Sequence, residues 1–135
     1  MIKLNLGCGW RNFGKDWIHI DGGNYKHLHS HNIIKLPFKD NSVNLIYASH
    51  VFEYFDRKEG EKVLREWFRV LKKDGVLRIA VPDFESIANL YVNEEILLDK
   101  FLGVLYGRME MGMNGGETGN EWRRNRENNL SQNNL

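Results

Sequence analysis

The sequence predicts an α/β chain: an open, mostly parallel sheet of about five strands with helices packed against it. Three observations carry that expectation. Short apolar runs at 3–6, 17–21, 32–36, 42–48 and 76–81 alternate with loops and with one long helical repeat. The first run ends on Gly7-Cys8-Gly9, which lets the backbone turn sharply against a ligand with no Cβ in the way. The second ends on a carboxylate, Asp21, and in a parallel sheet both ends lie on the rim where open α/β sheets bind their ligands.

A chain of 135 residues is one domain, long enough for a sizeable core but short for an α/β enzyme. Its formal charge of +1, with acids and bases interspersed, argues against steering toward nucleic acid or an anionic membrane, so the expected partner is a small molecule. One cysteine cannot make an internal disulfide, and neither a signal peptide nor a long apolar run is visible, which points to the cytoplasm and to no membrane.

Lys3-Leu4-Asn5-Leu6 reads as a strand feeding the glycine turn. The link from Trp10 to Asp16 is too short and too broken by Gly14 for a full crossover helix. Trp17 to Asp21 is the second strand, residues 22–31 a polar connection, and Asn32 to Leu36, closed by Pro37, a short third strand at the sheet edge. Ser42 to Ala48 is apolar enough to be buried on both faces. Asp56 and Glu59 have capping-box spacing ahead of Val63, Leu64, Trp67, Phe68 and Leu71, an apolar helical stripe ended by Gly75 and expected in the core. Val76 to Val81 is the next strand; Asp83 can cap a helix through about Tyr91, and another spans Glu94 to about Tyr106. Residues 1–106 form the expected folded unit. Residues 107–135, punctuated by glycine and rich in asparagine, have too little apolar surface to offset their ordering entropy and are expected to be a flexible tail.

The order of strand, Gly-x-Gly turn, strand ending in Asp, Leu36-Pro37-Phe38, strand, Ser49-His50-Val51-Phe52-Glu53, helix and Asp74-Gly75 resembles the class I S-adenosylmethionine-dependent methyltransferases, in particular the small type-11-like branch, over about residues 2 to 92. The resemblance implies a Rossmann-like fold and a site for S-adenosylmethionine, with S-adenosylhomocysteine as product. Asn5, Gly7, Cys8 and Gly9 would meet the methionyl portion, and Asp21 would accept the ribose hydroxyls. Asn32 stands where relatives often carry an Asp for the adenine amino group, Leu36 would help wall the adenine, and Ser49 and His50 would lie near the sulfonium and the acceptor. Methyl transfer asks the protein chiefly to align two reactants in a dry site; if the acceptor must lose a proton, His50 is the first candidate base and Glu53 the second.

Three departures qualify the resemblance. Gly9 and Asp21 are closer than in dinucleotide-binding enzymes and no third glycine follows, which argues against NAD. Tyr54 stands where relatives often have a second histidine. The two strands and helix that complete the sheet in relatives have no counterpart, so the strand after Gly75 should be an exposed edge, to be covered by the following helices, a second copy of the chain or a separate protein. A methyltransferase acting on a small-molecule or sugar-like acceptor is the first expectation, and a non-catalytic cofactor-binding or partner-binding module the alternative. Histidines 27, 29 and 31 alternate as strand residues would, but no second ligand set accompanies them; they are read as solvated, with no metal site expected. Cys8 is read as a small filler, and Arg123, Arg124 and Arg126 as a solvated basic cluster.

Overall fold

A computed structural model of the chain describes residues 1–106. The expectations for the tail and its arginines lie outside the described residues. Five strands, β1 (Lys3–Leu6), β2 (Ile18–Ile20), β3 (Leu28–Ser30), β4 (Val43–Ser49) and β5 (Leu71–Ala80), form one sheet in the order β3-β2-β1-β4-β5. Every pairing is parallel. The order reverses between β1 and β4, which places a crevice at the carboxyl ends of those two strands.

Register separates the sheet into two faces. Leu4 pairs with Ile18 and Ile46, and Leu6 with Ile20 and Ala48, so one face is apolar. Against it packs α1 (Arg57–Val70), whose Val63, Trp67 and Val70 are fully buried together with Leu4, Leu6, Ile20, Val43 and Ile46. Burial of each such side chain is worth about 1.5–3 kcal/mol, so this interface is the main source of stability. The capping box expected from Asp56 and Glu59 is formed in full: Asp56 accepts from the Lys58 and Glu59 N–H groups, and Glu59 accepts from the Asp56 N–H. Two details of the expected helix are corrected. Phe68 is 65 % exposed, because the helix turns it away from the sheet while Trp67 takes the centre of the stripe. The helix also stops at Val70 rather than at Gly75, since Leu71 is already extended and paired with Val43.

The opposite face carries Asn5 flanked by His19 and Tyr47, a polar and aromatic row. No helix connects β1 to β2; Phe13 and Trp17 cover the row instead, with ring centroids 5.3 Å apart and Phe13 5.6 Å from Tyr47. Lys3 Nζ lies 5.2 Å from the Trp17 ring centre.

The third strand is also corrected. It is Leu28–Ser30, inside the stretch expected to be a connection, and residues 32–36 are not a strand. Asn32 is the physical reason: its Oδ1 accepts the N–H groups of Ile34 and Lys35, both at 2.9 Å, closing a side-chain turn in place of a ladder. After β5, α2 (Phe84–Val92) is capped by Asp83, and α3 (Leu98–Tyr106) begins four residues later than expected. The helix α3 contacts α2 and a 3₁₀ turn at Phe52–Tyr54. β5 is an edge strand, with Val76 47 % and Ile79 38 % exposed.

Candidate functional site

The exit of β1 is a backbone turn that favours glycine. Gly7 has φ +65° and its N–H donates to the Ile20 carbonyl at 2.8 Å; a Cβ there would stand 2.5 Å from Val51 Cγ2. Gly9 has φ +56°, and a Cβ there would meet nothing within 4 Å, so its face of the turn is open. The Gly9 N–H donates to Asp21 Oδ2 at 2.8 Å, and the Gly23 N–H to Asp21 Oδ1 at 2.7 Å. Asp21 therefore fastens the β1 turn to the exit of β2, buried at 8 % exposure, and each carboxylate oxygen keeps further acceptor capacity.

Of the three N–H groups in the turn, two are committed inside the chain and that of Cys8 has no partner among the described residues. Burial, and then the Asp21 charge, push the Cys8 thiol up to about 12, so it stays protonated and is packing rather than a nucleophile. Its Sγ lies 3.7 Å from His27 Nε2. His29 sits beside Phe38 and His31 Nδ1 is 3.0 Å from the Gly23 carbonyl, so the three alternating histidines face three different neighbours.

Behind the turn, Asn5 is 2 % exposed and its Nδ2 has no hydrogen-bond partner among the described residues. An orphaned buried amide is rare enough to call for a ligand or an ordered water. His19 beside it accepts the Phe13 N–H at 2.9 Å through Nε2. Burial, then the neighbouring His27, hold its imidazole toward the neutral form. That histidine anchors the loop that replaces a helix, a role the apolar context of β2 did not signal.

At the end of β4, Ser49 pairs with Ala80 and is half-buried. His50 adopts φ +53°, and its N–H donates to the Ala80 carbonyl at 2.9 Å. Its ring is exposed, with Nδ1 3.5 Å from Glu53 Oε1, while the Glu53 side chain is only 9 % exposed. Desolvation drives the Glu53 carboxyl above its ordinary value, against the opposing pull of its own backbone and of His50. Its other oxygen, Oε2, is buried without a partner among the described residues. Val51, next to His50, is the residue that packs on Gly7, so the ends of β1, β2 and β4 converge on one rim as the parallel topology requires.

Two expected site residues are engaged elsewhere. Asn32 spends its carbonyl oxygen on its own turn, and Leu36 is 3 % exposed within the core. The loop they belong to is pinned by α1. Leu36 N–H donates to Glu66 Oε1 at 2.8 Å, and Arg69 donates to both Glu66 oxygens, to the Phe38 carbonyl and to Asp40. Trp67 Nε1 donates to the Ile33 carbonyl at 2.9 Å. Burial opposes ionisation of Glu66, but Arg69 and the Leu36 N–H outweigh it and hold the carboxyl below the usual range. Sequence reasoning missed this clamp; its one visible trace is the acid and base three residues apart on the flank of the apolar stripe.

No curated protein matches the chain. Among solved structures, a chain from a Haloferax volcanii complex between the Trm112 methyltransferase activator and a protein described as a methyltransferase is similar at 19 % identity and a TM-score of 0.49, over 69 % of this chain and 51 % of that one. The chain thus spans about half the length of that relative. The methyltransferase domain family matches residues 11–79, from just past the glycine turn into β5 and across Asp21, Asn32, Leu36, Ser49, His50 and Glu53. That match takes in just over half of the chain, which belongs to the methyltransferase domain family.

Proposed function

We propose that the chain binds S-adenosylmethionine at the carboxyl ends of β1, β2 and β4 and transfers its methyl group to a small-molecule or sugar-like acceptor. The observation that carries this is the glycine turn itself: a backbone loop, open on the Gly9 side, fastened to the next strand by a buried carboxylate at the point where strand order reverses. The residues present fit the cofactor. The Cys8 N–H is an uncommitted donor for the methionyl carboxylate, with the unpaired Asn5 Nδ2 buried behind it, and Asp21 retains acceptor positions for ribose hydroxyls.

When bound, the cofactor supplies an electrophilic methyl group on a sulfonium. The chain's own part is to hold the acceptor in line with that group and to exclude water, with Ser49 and His50 on the acceptor side and His50 as the candidate base. A cytoplasmic setting suits the single protonated thiol. No helix among the described residues is long and apolar enough to cross a membrane.

Calorimetry with S-adenosylmethionine and with S-adenosylhomocysteine tests the proposal. Both should bind, and methyl-labelled cofactor should pass its label to an acceptor in metabolite pools; no binding at millimolar concentration overturns it. The exposed edge of β5 favours a second reading, a cofactor-binding module completed by another chain. That reading predicts binding without turnover and an oligomer or complex by light scattering.

A further inference from the structure

We infer that His50 and Glu53 act as a dyad: Glu53 positions the imidazole, and His50 Nε2 takes the proton of a hydroxyl or amine acceptor. This rests on the methyl-transfer reading above and deepens it by naming the class of acceptor. Three independent features of the rim support it. The backbone holds His50 in the left-handed region, uncommon for a residue with a Cβ, and locks it there through the bond to the Ala80 carbonyl. The ring's inner nitrogen, Nδ1, faces a carboxylate whose side chain is nine-tenths buried, while the ring itself is exposed. The second oxygen of that carboxylate, Oε2, is buried and has no donor among the described residues.

A carboxylate beside Nδ1 favours the tautomer that carries its proton there, which leaves the Nε2 lone pair outward. The 3.5 Å separation is long for a hydrogen bond, as is usual for catalytic pairs before substrate closes the site. The balance is complete. An electron pair on the acceptor oxygen or nitrogen forms the new bond to the methyl carbon, and the carbon–sulfur pair returns to sulfur as a thioether. The O–H or N–H proton passes to Nε2. The resulting imidazolium is stabilised by Glu53, whose desolvated carboxylate gains a partner at that moment. A thiolate or a carbanion would need none of this apparatus.

The test is ¹⁵N-histidine NMR on the full chain at about pH 8, above the ordinary imidazole range near 6.5. His50→Asn, which tolerates the same backbone conformation, identifies the His50 signals. The wild type should show the Nδ1–H pattern, and Glu53→Ala should lose it. An Nε2–H pattern in the wild type, or a pattern unchanged by Glu53→Ala in a folded variant, overturns the dyad. Should Glu53→Ala not fold, the wild-type tautomer decides alone. Label recovered on oxygen or nitrogen in the transfer experiment supports the acceptor class, and label on carbon or sulfur overturns it. Failure of the dyad is distinguishable from failure of the methyl-transfer reading, because the calorimetry above is independent of the tautomer.

Discussion

Substitution of Asp21 separates what its carboxylate does for the fold from what it is proposed to do for the ligand. Two backbone N–H groups, from Gly9 and Gly23, donate to it at 2.8 and 2.7 Å in a site that is 8 % exposed. A hydrogen bond to a charged group contributes about 1.5–3 kcal/mol, so Asp21→Ala, which removes both, should destabilise by roughly 3–6 kcal/mol. A domain of this kind has about 5–15 kcal/mol in total, so Asp21→Ala should sit near the edge of folding. Asp21→Asn keeps one carbonyl acceptor and turns an amino group toward the other N–H, so its cost is about 2–3 kcal/mol and the fold should survive. The assay for stability is urea unfolding, read as a midpoint shift at constant slope. On folded Asp21→Asn, calorimetry with S-adenosylmethionine should show at least about a tenfold loss of affinity, which is about 1.4 kcal/mol. An Asp21→Ala shift below about 1 kcal/mol refutes the fastening role. An Asp21→Asn variant that is less stable yet binds as the wild type does refutes the ribose contact.

Gly7→Ala should destabilise by about 2–4 kcal/mol, combining the left-handed φ with overpacking against Val51. Because Val51 Cβ itself would lie 2.6 Å away, Val51→Ala should not relieve the clash and Val51→Gly should, as a double-mutant cycle in urea can show. Trp67→Phe should lower stability by about 1–3 kcal/mol through the buried Ile33 carbonyl it leaves unpaired, and hydrogen exchange of residues 33–38 should rise with it. The Glu66 carboxyl is held below the ordinary value of 4.5 in the folded state. Its contribution is present above that value and lost as pH falls through the folded one, so the stability gap between wild type and Glu66→Gln should hold at neutral pH and close in acid.

The fold was legible where local chemistry and tertiary demand agree. Gly7 and Gly9 announced a sharp turn at the exit of β1, and Asp56 with Glu59 announced a helix start, because each depends on neighbours a few residues away. The third strand was misplaced because Ile33, Ile34 and Leu36 are β-branched or apolar for another reason: Ile33 and Leu36 plug the core beside α1, and Asn32 folds the backbone between them. Phe68 was misassigned because a helical stripe has a width, and only the register with the sheet shows that Trp67 fills it. Beyond that acid and base spacing the Glu66–Arg69 clamp left no trace, since its backbone partners lie about thirty residues back in the chain, on carbonyl and N–H groups that no side-chain pattern records.

The missing crossover helix after β1 changes the electrostatics of the rim. A helix beginning at the glycine turn would aim the positive end of its dipole at an anionic ligand group. Here the link from Gly7 to Trp17 has no helix, so that contribution is absent and the donors must be individual. The Cys8 N–H is one such donor, and the Asn5 amide lies buried behind it. The Arg11 N–H is bonded to the Cys8 carbonyl and its guanidinium lies 5.2 Å from the exposed Trp10 ring. Stacking on an indole holds that cation without burying it. The connection is only eleven residues long, too short to wind the helix yet rich enough in aromatics to seal the sheet face the helix would have covered.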